Sequence, residues 1–129
     1  MVIDSSALLA LLLKEAGAAE IARAIAADAR RLASAFTVLE ASVVIEAKKG
    51  EAAGRELDLL LHRTGIDVVV MDAGQVELAR SASRKYGKGR HPAGLNIGDC
   101  CSYALARYTG EPLLFKGGDF AQTDIPRVM

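Results

Sequence analysis

Aromatic residues are scarce in this chain of 129 residues: they make up 5% of it, and tryptophan is absent. A protein that binds nucleic acid by stacking bases on an aromatic surface is therefore not expected. The formal net charge is zero, so bulk charge does not indicate a nucleic-acid partner. Any basic surface for such a partner must be local.

Cysteine is limited to the adjacent pair Cys100 and Cys101. Neighbouring residues of a helix point in different directions, and there is no third cysteine, so we expect neither a disulfide nor a zinc site. In an apolar helix both are expected to be small core residues, which favours a reducing compartment.

Long apolar runs are absent as well. The run at residues 7–13 is too short to cross a membrane. A secretory signal is not predicted either, because Asp4 precedes the run where such a signal needs positive charge. We expect a cytoplasmic protein with no membrane segment. With 51% hydrophobic and 25% charged residues, the chain suits one domain over residues 1–129.

Short apolar segments alternate with helical ones along the chain. The predicted strands are 2–3, 31–35, 66–71 and 113–115, with 126–128 as a further edge strand; the predicted helices are 7–13, 17–28, 37–49, 51–63, 73–86 and 96–108, with a short helical turn at 117–122. Segment 66–71 is the clearest strand because it is rich in β-branched residues. This order predicts right-handed βαβ crossovers and an α/β fold, with a parallel sheet covered by helices on both faces.

Four acidic residues fall at the ends of predicted strands or at the starts of predicted helices: Asp4, Glu40, Asp99 and Asp119. A parallel sheet would bring all four to its carboxyl edge, where ligands bind in open α/β sheets. Unpaired carboxylates in a partly desolvated cleft would repel one another. A hard divalent cation such as Mg²⁺, which prefers oxygen ligands and bridges to phosphates, is the simplest compensation.

Two of these acids also fit helix-capping patterns. Thr37 and Glu40 match a capping box, which alone would explain a glutamate there. Asp99 follows Asn96, a favourable N-cap, and an acid is stabilised in the first turn of a helix. Thr37 could equally hydrogen-bond the carboxylates or water molecules on a metal.

The other two acids have structural explanations too. Asp4 could cap the first helix, although Ser5 and Ser6 can do so already. Asp119 follows two glycines and could be a turn residue. Ser6 is a further candidate for hydrogen bonds to the site. Taken singly these explanations are sufficient, but taken together the acids favour a site.

The concentrated basic patch comprises Arg84, Lys85, Lys88 and Arg90. A solvated loop is the ordinary explanation for such a run. Phosphate contact by Arg84, Lys88 and Arg90 becomes plausible if the patch lies beside the acidic cleft. The two histidines, His62 and His91, are expected on the surface or in fixing the loop at 87–94.

The chain resembles the PIN domains, and specifically the VapC-type toxins of bacterial toxin–antitoxin pairs. The resemblance covers nearly the whole chain, and it rests on four segments, which are Val2-Ile3-Asp4-Ser5-Ser6-Ala7-Leu8, Thr37-Val38-Leu39-Glu40-Ala41, Arg90 to Cys100, and Leu113 to Ile125. The last two segments, in this order and at this spacing, are the most specific. Gly118 stands where relatives often have a polar residue.

The resemblance implies a compact α/β/α sandwich around a parallel sheet. It also implies an Mg²⁺- or Mn²⁺-dependent endoribonuclease that forms a homodimer and is inhibited by a VapB-type antitoxin. The four acidic positions of the family fall on the four acids named above. The metal is expected mainly on Asp4 and Asp99, while Glu40 and Asp119 complete the site or orient the attacking water.

Two other interpretations remain at this point. A receiver-like signalling domain is also a small parallel α/β domain; Asp72 would be its phosphate acceptor and Lys116 its phosphate-contacting lysine. That hypothesis leaves Glu40 and Asp99 without roles. A PIN-like binding module without turnover is the second alternative, and the intact acidic set argues against it.

Overall fold

A computed structural model describes residues 1–129 and contains four strands and six helices. In chain order they are β1 (Val2–Ile3), α1 (Ser5–Leu12), α2 (Ala18–Ala27), β2 (Leu32–Ser34), α3 (Ala35–Lys49), α4 (Glu51–Arg63), β3 (Asp67–Val69), α5 (Ala73–Tyr86), α6 (Ile97–Thr109) and β4 (Leu113–Leu114). The strands form one parallel sheet in the order β3-β2-β1-β4. The predicted α/β fold with a parallel sheet is confirmed.

Helices cover both faces of the sheet because consecutive strand residues point to opposite sides. Val2 packs into a cluster with side chains of α5 and α6, such as Tyr86 and Tyr103. Its neighbour Ile3 packs into a second cluster with residues of α1 to α4, such as Leu8 and Leu57. The fold is therefore an α/β/α sandwich with the short strand β1 fully buried at its centre.

Strand β3 is shorter and more exposed than the sequence suggests. The β-branched segment 66–71 predicts the clearest strand, yet only Asp67–Val69 pair with β2, and they form an edge of the sheet. Val68 is 47% exposed and Val70 is 75% exposed. Strand propensity describes how a residue fits a pleated surface, and it does not say whether the surface is covered.

The end of the chain follows the sequence-based expectation only in part. Residues 126–128 form no strand, but Arg127 makes a single parallel bridge with Leu113 of β4. Residues 117–122, predicted as a short helical turn, form no helix; hydrogen bonds from the Ala121 amide to the Gly118 carbonyl and from the Thr123 amide to the Phe120 carbonyl make two successive turns instead. No helix in the fold combines the length and the hydropathy that a membrane crossing requires.

Candidate active site

A cleft of about 250 Å³ opens at the carboxyl edge of the sheet. All four predicted acids line it, together with three neutral polar residues and one lysine: Asp4, Glu40, Asp99, Asp119, Ser5, Ser6, Asn96 and Lys116. The parallel sheet thus brings together residues that are up to 115 positions apart, as the sequence predicts for this edge.

Asp4 is the most tightly held of the acids. Its Oδ2 accepts hydrogen bonds from the Ser6 amide at 3.0 Å and the Ser6 hydroxyl at 2.7 Å, and its Oδ1 accepts from the Ser102 hydroxyl at 2.6 Å. The carboxylate therefore N-caps α1, as the structural explanation of Asp4 allowed, and the alternative caps Ser5 and Ser6 lie inside the helix instead. A carboxylate has about four acceptor positions. Asp4 retains roughly one, which faces the cleft.

Thr37 is connected to Asp4 through Ser102. Its Oγ1 is 3.2 Å from the Ser102 Oγ, and both side chains are fully buried. Ser102 donates its only hydroxyl proton to Asp4, so Thr37 must be the donor in the other bond. The result is a buried relay from Thr37 through Ser102 to Asp4.

Ser102, which donates to Asp4, is not among the site residues predicted from the sequence. It lies three residues after Asp99 in α6, and this spacing puts both on one face of a helix. That spacing is the signal that could have identified it.

Glu40 does not belong to a capping box. Helix α3 begins at Ala35 and is capped by Ser34, whose Oγ accepts from the Phe36 amide at 3.2 Å, so the capping role assigned to Thr37 and Glu40 is wrong. Glu40 lies one turn further on and turns into the cleft, where its Oε1 accepts from the Ser5 hydroxyl at 2.8 Å. The whole carboxylate lies against α6 at Gly98.

Asp99 both caps its helix and faces the cleft. The Asn96 side chain accepts from the Asp99 amide at 2.8 Å, and Asp99 Oδ2 accepts from the Asn96 amide at 3.1 Å, which forms a complete capping box. Burial is the main cause that raises the pKa of Asp99 to about 7, and the nearby Asp4 and Asp119 carboxylates raise it further. The hydrogen bond that the Asn96 amide donates to the carboxylate opposes this rise in the pKa.

Asp119 comes from the loop after β4 and is exposed. The next residue, Phe120, anchors this loop: it is buried and packs against Phe115, with 5.0 Å between ring centroids. Asp119 therefore reaches the cleft from an exposed loop that Phe120 anchors to the core.

The donor set of the cleft fits a hard divalent cation. Carboxylate, hydroxyl and amide oxygens line it, and neither histidine nor cysteine does. No three acidic, histidine or cysteine side chains surround a common point closely enough to enclose an ion by themselves. Mg²⁺ does not need that, because it keeps several waters and is bound by one or two carboxylates together with substrate phosphates. Burial and, to a smaller extent, the Asp4 and Asp119 carboxylates raise the pKa of Asp99, and a cation in the cleft would offset the cost of its negative charge.

The basic patch lies outside this lining. Arg84, Lys88 and Arg90 are exposed, and none of them lines the acidic cleft. His91 fixes the loop as expected: its Nδ1 accepts from the Ala93 amide at 3.0 Å, and its ring meets Tyr86 edge-on. His62 is exposed.

The positions of the two cysteines and of Asp72 decide two further sequence-based interpretations. Cys100 and Cys101 are buried, unbonded thiols, as predicted.

Asp72, the phosphate acceptor of the receiver hypothesis, N-caps α5 through the Gln75 amide and accepts a hydrogen bond from Tyr108. It does not line the cleft that contains Lys116, so the pair that a receiver domain requires is not formed.

Comparison with known proteins agrees with this architecture. The PIN-domain family model matches residues 1–126. The chain is 56% identical over 128 residues to Ribonuclease VapC30 of Mycobacterium tuberculosis, covering 99% of this chain and 98% of that one. It is 54% identical over 128 residues to a Ribonuclease VapC of Mycolicibacterium smegmatis, covering 99% of both chains.

Solved structures share the fold. The toxin VapC20 of Mycobacterium tuberculosis, described as cleaving the sarcin–ricin loop, superposes with a TM-score of 0.78 at 18% identity, covering 96% of this chain and 95% of that one. A toxin–antitoxin complex from Klebsiella pneumoniae gives a TM-score of 0.70 at 18% identity, covering 95% and 92%. The family model and the close relatives together establish that this chain belongs to the PIN-domain family, and within it to the VapC ribonucleases, the endoribonuclease toxins of toxin–antitoxin systems.

Proposed function

We propose that the acidic cleft is the catalytic centre and that it hydrolyses RNA phosphodiester bonds with Mg²⁺ or Mn²⁺. The observation that carries this proposal is the lining of the cleft: four carboxylates from four separate elements meet there with a single lysine. Capping explains Asp4 and Asp99 singly, but it does not explain Glu40 or the meeting of all four acids in one cleft.

Asp4 and Asp99 are the proposed metal ligands. Asp4 is held by three hydrogen bonds, so its remaining acceptor position has a fixed direction. Asp99 is held by the capping box and keeps one oxygen free of backbone bonds. Both groups are therefore in place before an ion binds, which reduces the reorganisation that binding requires.

Glu40 and Asp119 are proposed to complete the site. Ser5 restrains Glu40 and the Phe120 anchor restrains Asp119, and both carboxylates can accept a proton from, and so orient, an attacking water. A bound divalent ion supplies positive charge that makes water a stronger acid and stabilises the leaving oxygen. Asn96 and Ser6 hold Asp99 and Asp4, while Thr37 acts through Ser102.

Arg84, Lys88 and Arg90 are proposed to hold RNA at a distance from the cleft, because they are exposed and do not line it.

As in other VapC toxins, a VapB-type antitoxin is proposed to inhibit the enzyme in the cytoplasm, with a partner arginine pairing with the cleft carboxylates. A homodimer is proposed as the working form. Leu39 and Val43, each 60% exposed on α3, offer apolar surface that a partner chain would cover.

The test combines metal removal with one substitution. Purified protein is expected to cleave single-stranded RNA in Mg²⁺ or Mn²⁺ and to lose that activity in excess EDTA. Asp4→Asn should be inactive in both conditions, whereas Asp58→Asn, which changes an exposed acid on α4, should behave as the wild type. Undiminished cleavage in EDTA would refute the metal requirement. Sequencing RNA ends from a host that expresses either protein identifies the RNA that is cut.

A further inference from the structure

A second cleft adjoins the acidic one. It has a volume of about 300 Å³ and shares Ser6, Leu9 and Lys116 with the acidic cleft, while Glu15 and Gly117 complete its lining. An RNA strand that places one phosphate among the four carboxylates must pass its neighbouring phosphates over the adjoining surface. The second cleft is such a surface.

Lys116 stands on the border between the two clefts and is the only cationic side chain that lines either. Its backbone amide donates to the Ser6 hydroxyl at 3.0 Å, and that hydroxyl donates to Asp4 at 2.7 Å. The backbone of Lys116 is therefore linked through Ser6 to Asp4, the proposed metal ligand. The length of the lysine side chain then limits how far its ammonium group can lie from the reaction centre.

The ammonium group is paired with a carboxylate that can be exchanged. Lys116 Nζ lies 2.8 Å from Glu15 Oε1, and the two side chains are 36% and 38% exposed. Pairs in such contact with water contribute little to stability. A phosphate oxygen could replace the Glu15 carboxylate without leaving the lysine unpaired.

Free backbone donors lie beside the lysine. The amides of Gly117 and Gly118 donate no hydrogen bond within the protein, and both residues are exposed. No atom lies within 4 Å of the place where a Cβ would stand on either glycine, so the loop is uncrowded on that side. Backbone amides in glycine-rich loops are suitable donors to phosphate.

We propose that Lys116, with the amides of Gly117 and Gly118, forms a subsite for an RNA phosphate adjacent to the scissile one. Glu15 occupies the place of that phosphate in the free protein. The inference rests on the proposed function, because it takes the acidic cleft as the position of the scissile phosphate. A lysine that only joined the loop after β4 to the end of α1 would not alter RNA binding.

Steady-state cleavage of a short single-stranded RNA with one mapped cleavage site provides the first test. Lys116→Met is expected to raise KM by about three- to tenfold, the loss of one phosphate contact, and to leave kcat close to the wild-type value. Lys116→Arg should restore KM. Glu15→Gln should lower KM, because it removes the competing carboxylate. Lys49→Met, an exposed lysine at the end of α3, is the matched control and should have no effect.

RNA with a single uncharged backbone linkage identifies the phosphate that Lys116 contacts. The same RNA is prepared with a single 2′-O-methyl methylphosphonate at each position next to the cleavage site, and with 2′-O-methyl phosphate as the control. One position is expected to raise KM for the wild type and to have a much smaller effect on Lys116→Met, which keeps only the two amides. A Lys116→Met variant that matches Lys49→Met, or that stays as sensitive as the wild type at every position, overturns the subsite.

The two proposals fail in different ways. If the wild type cleaves in Mn²⁺ and not in EDTA while Lys116→Met keeps the wild-type KM, the subsite is overturned and the metal-dependent function stands. If the wild type cleaves equally well in EDTA, the proposed function fails, whatever Lys116 does. Thermal melts of each variant establish that it is folded before its KM is interpreted.

Discussion

Gly98 leaves the space in which the Glu40 carboxylate lies. A Cβ placed on Gly98 would lie 2.2 Å from Glu40 Oε2, so the glutamate carboxylate passes directly over the backbone of α6. A side chain at this position must push the carboxylate aside, and that would break its bond to Ser5.

Gly98→Ala is therefore expected to lower cleavage by on the order of 10²-fold, because a displacement of about 1 Å in a reacting group has effects of this size. The measurement is kcat/KM for the wild type, Gly98→Ala, Glu40→Ala and the double variant. If Gly98 acts through Glu40, the double variant is no worse than Glu40→Ala alone. Losses that simply multiply would show that the glycine has another role.

Ser102 connects Asp4 to the interior, and its hydroxyl has two partners. Ser102→Ala leaves the buried Thr37 hydroxyl without an acceptor and removes one bond from Asp4. We expect unfolding free energy to fall by about 1–3 kcal/mol and cleavage to weaken, since Asp4 loses part of its orientation. Urea unfolding of this variant should be compared with Ser81→Ala, which alters an exposed hydroxyl on α5. Equal stability of the two variants would contradict the relay.

Sequence reasoning placed the four acids at one edge of a parallel sheet, where they do line one cleft, although Glu40 lies a turn further into α3 than the predicted helix start. It failed on the hydrogen bonds of the same residues. Whether Thr37 caps α3 or bonds Ser102 depends on whether the helix begins at Ala35 or later, and a difference of two residues at a helix start reverses the answer.

At the scale of helices and strands, Arg31 joins two helix ends. Its Nε donates to the carbonyls of Ile25 and Asp28 at the end of α2, and its Nη1 donates to the Thr64 carbonyl at the end of α4. The last carbonyls of a helix lack their regular intrahelical partners, Ile25 here accepting only a long 3.4 Å bond from the Asp28 amide, and a cation there also offsets the helix dipole. The planar guanidinium can serve several carbonyls at once, which an ammonium group cannot.

Arg31→Lys is accordingly expected to lower the free energy of unfolding by about 1–3 kcal/mol, although it conserves the charge. Chemical denaturation measures this value, and Arg23→Lys on the exposed face of α2 is the control, because its contact with Glu20 is fully in solvent. A loss no larger than that of the control would show that the carbonyls are satisfied by water instead.

The order of helices and strands could be predicted from apolar periodicity, and most helix bounds agree within a few residues. The position of each strand in the sheet could not. Strand β3 has the strongest β-branched signal and lies at an edge, whereas β1 has only two residues and lies in the centre. Burial is determined by the crossovers and by neighbours distant in sequence, and local propensity contains neither.

On the scale of the whole molecule, charge is balanced in total but unevenly distributed, with four acids in the cleft and a basic patch outside it. If the patch holds RNA, neutralising Arg84, Lys88 and Arg90 together should weaken binding and flatten its dependence on salt by about 0.7 per lost phosphate contact. Binding of single-stranded RNA by the inactive Asp4→Asn protein, from low to moderate salt, measures the slope. An unchanged slope would assign the patch to solvent.

The cleft also makes the stability of the metal-free protein depend on pH. The pKa of Asp99 rises to about 7 in the folded state from an ordinary value of 3.8. A raised pKa means that the folded state holds this proton more tightly, so the associated stability is present below about pH 4 and is lost as pH rises through 7. Protonated Asp99 can also donate to Asp119, and this donor disappears on ionisation.

Thermal melts of the wild type and Asp99→Asn, in EDTA and in millimolar Mn²⁺, test the central claim most directly. Asparagine keeps the oxygen that accepts from Asn96 and removes the charge. At pH 8 in EDTA the variant is therefore expected to be more stable by about 1 kcal/mol, or a few degrees in Tm, and at pH 5 the two should be nearly equal. Mn²⁺ at pH 8 should reverse the order by stabilising the wild type far more than the variant. A variant that is less stable than the wild type in EDTA at pH 8, or that gains as much from Mn²⁺, would contradict the account of the cleft as a strained carboxylate site for a divalent ion.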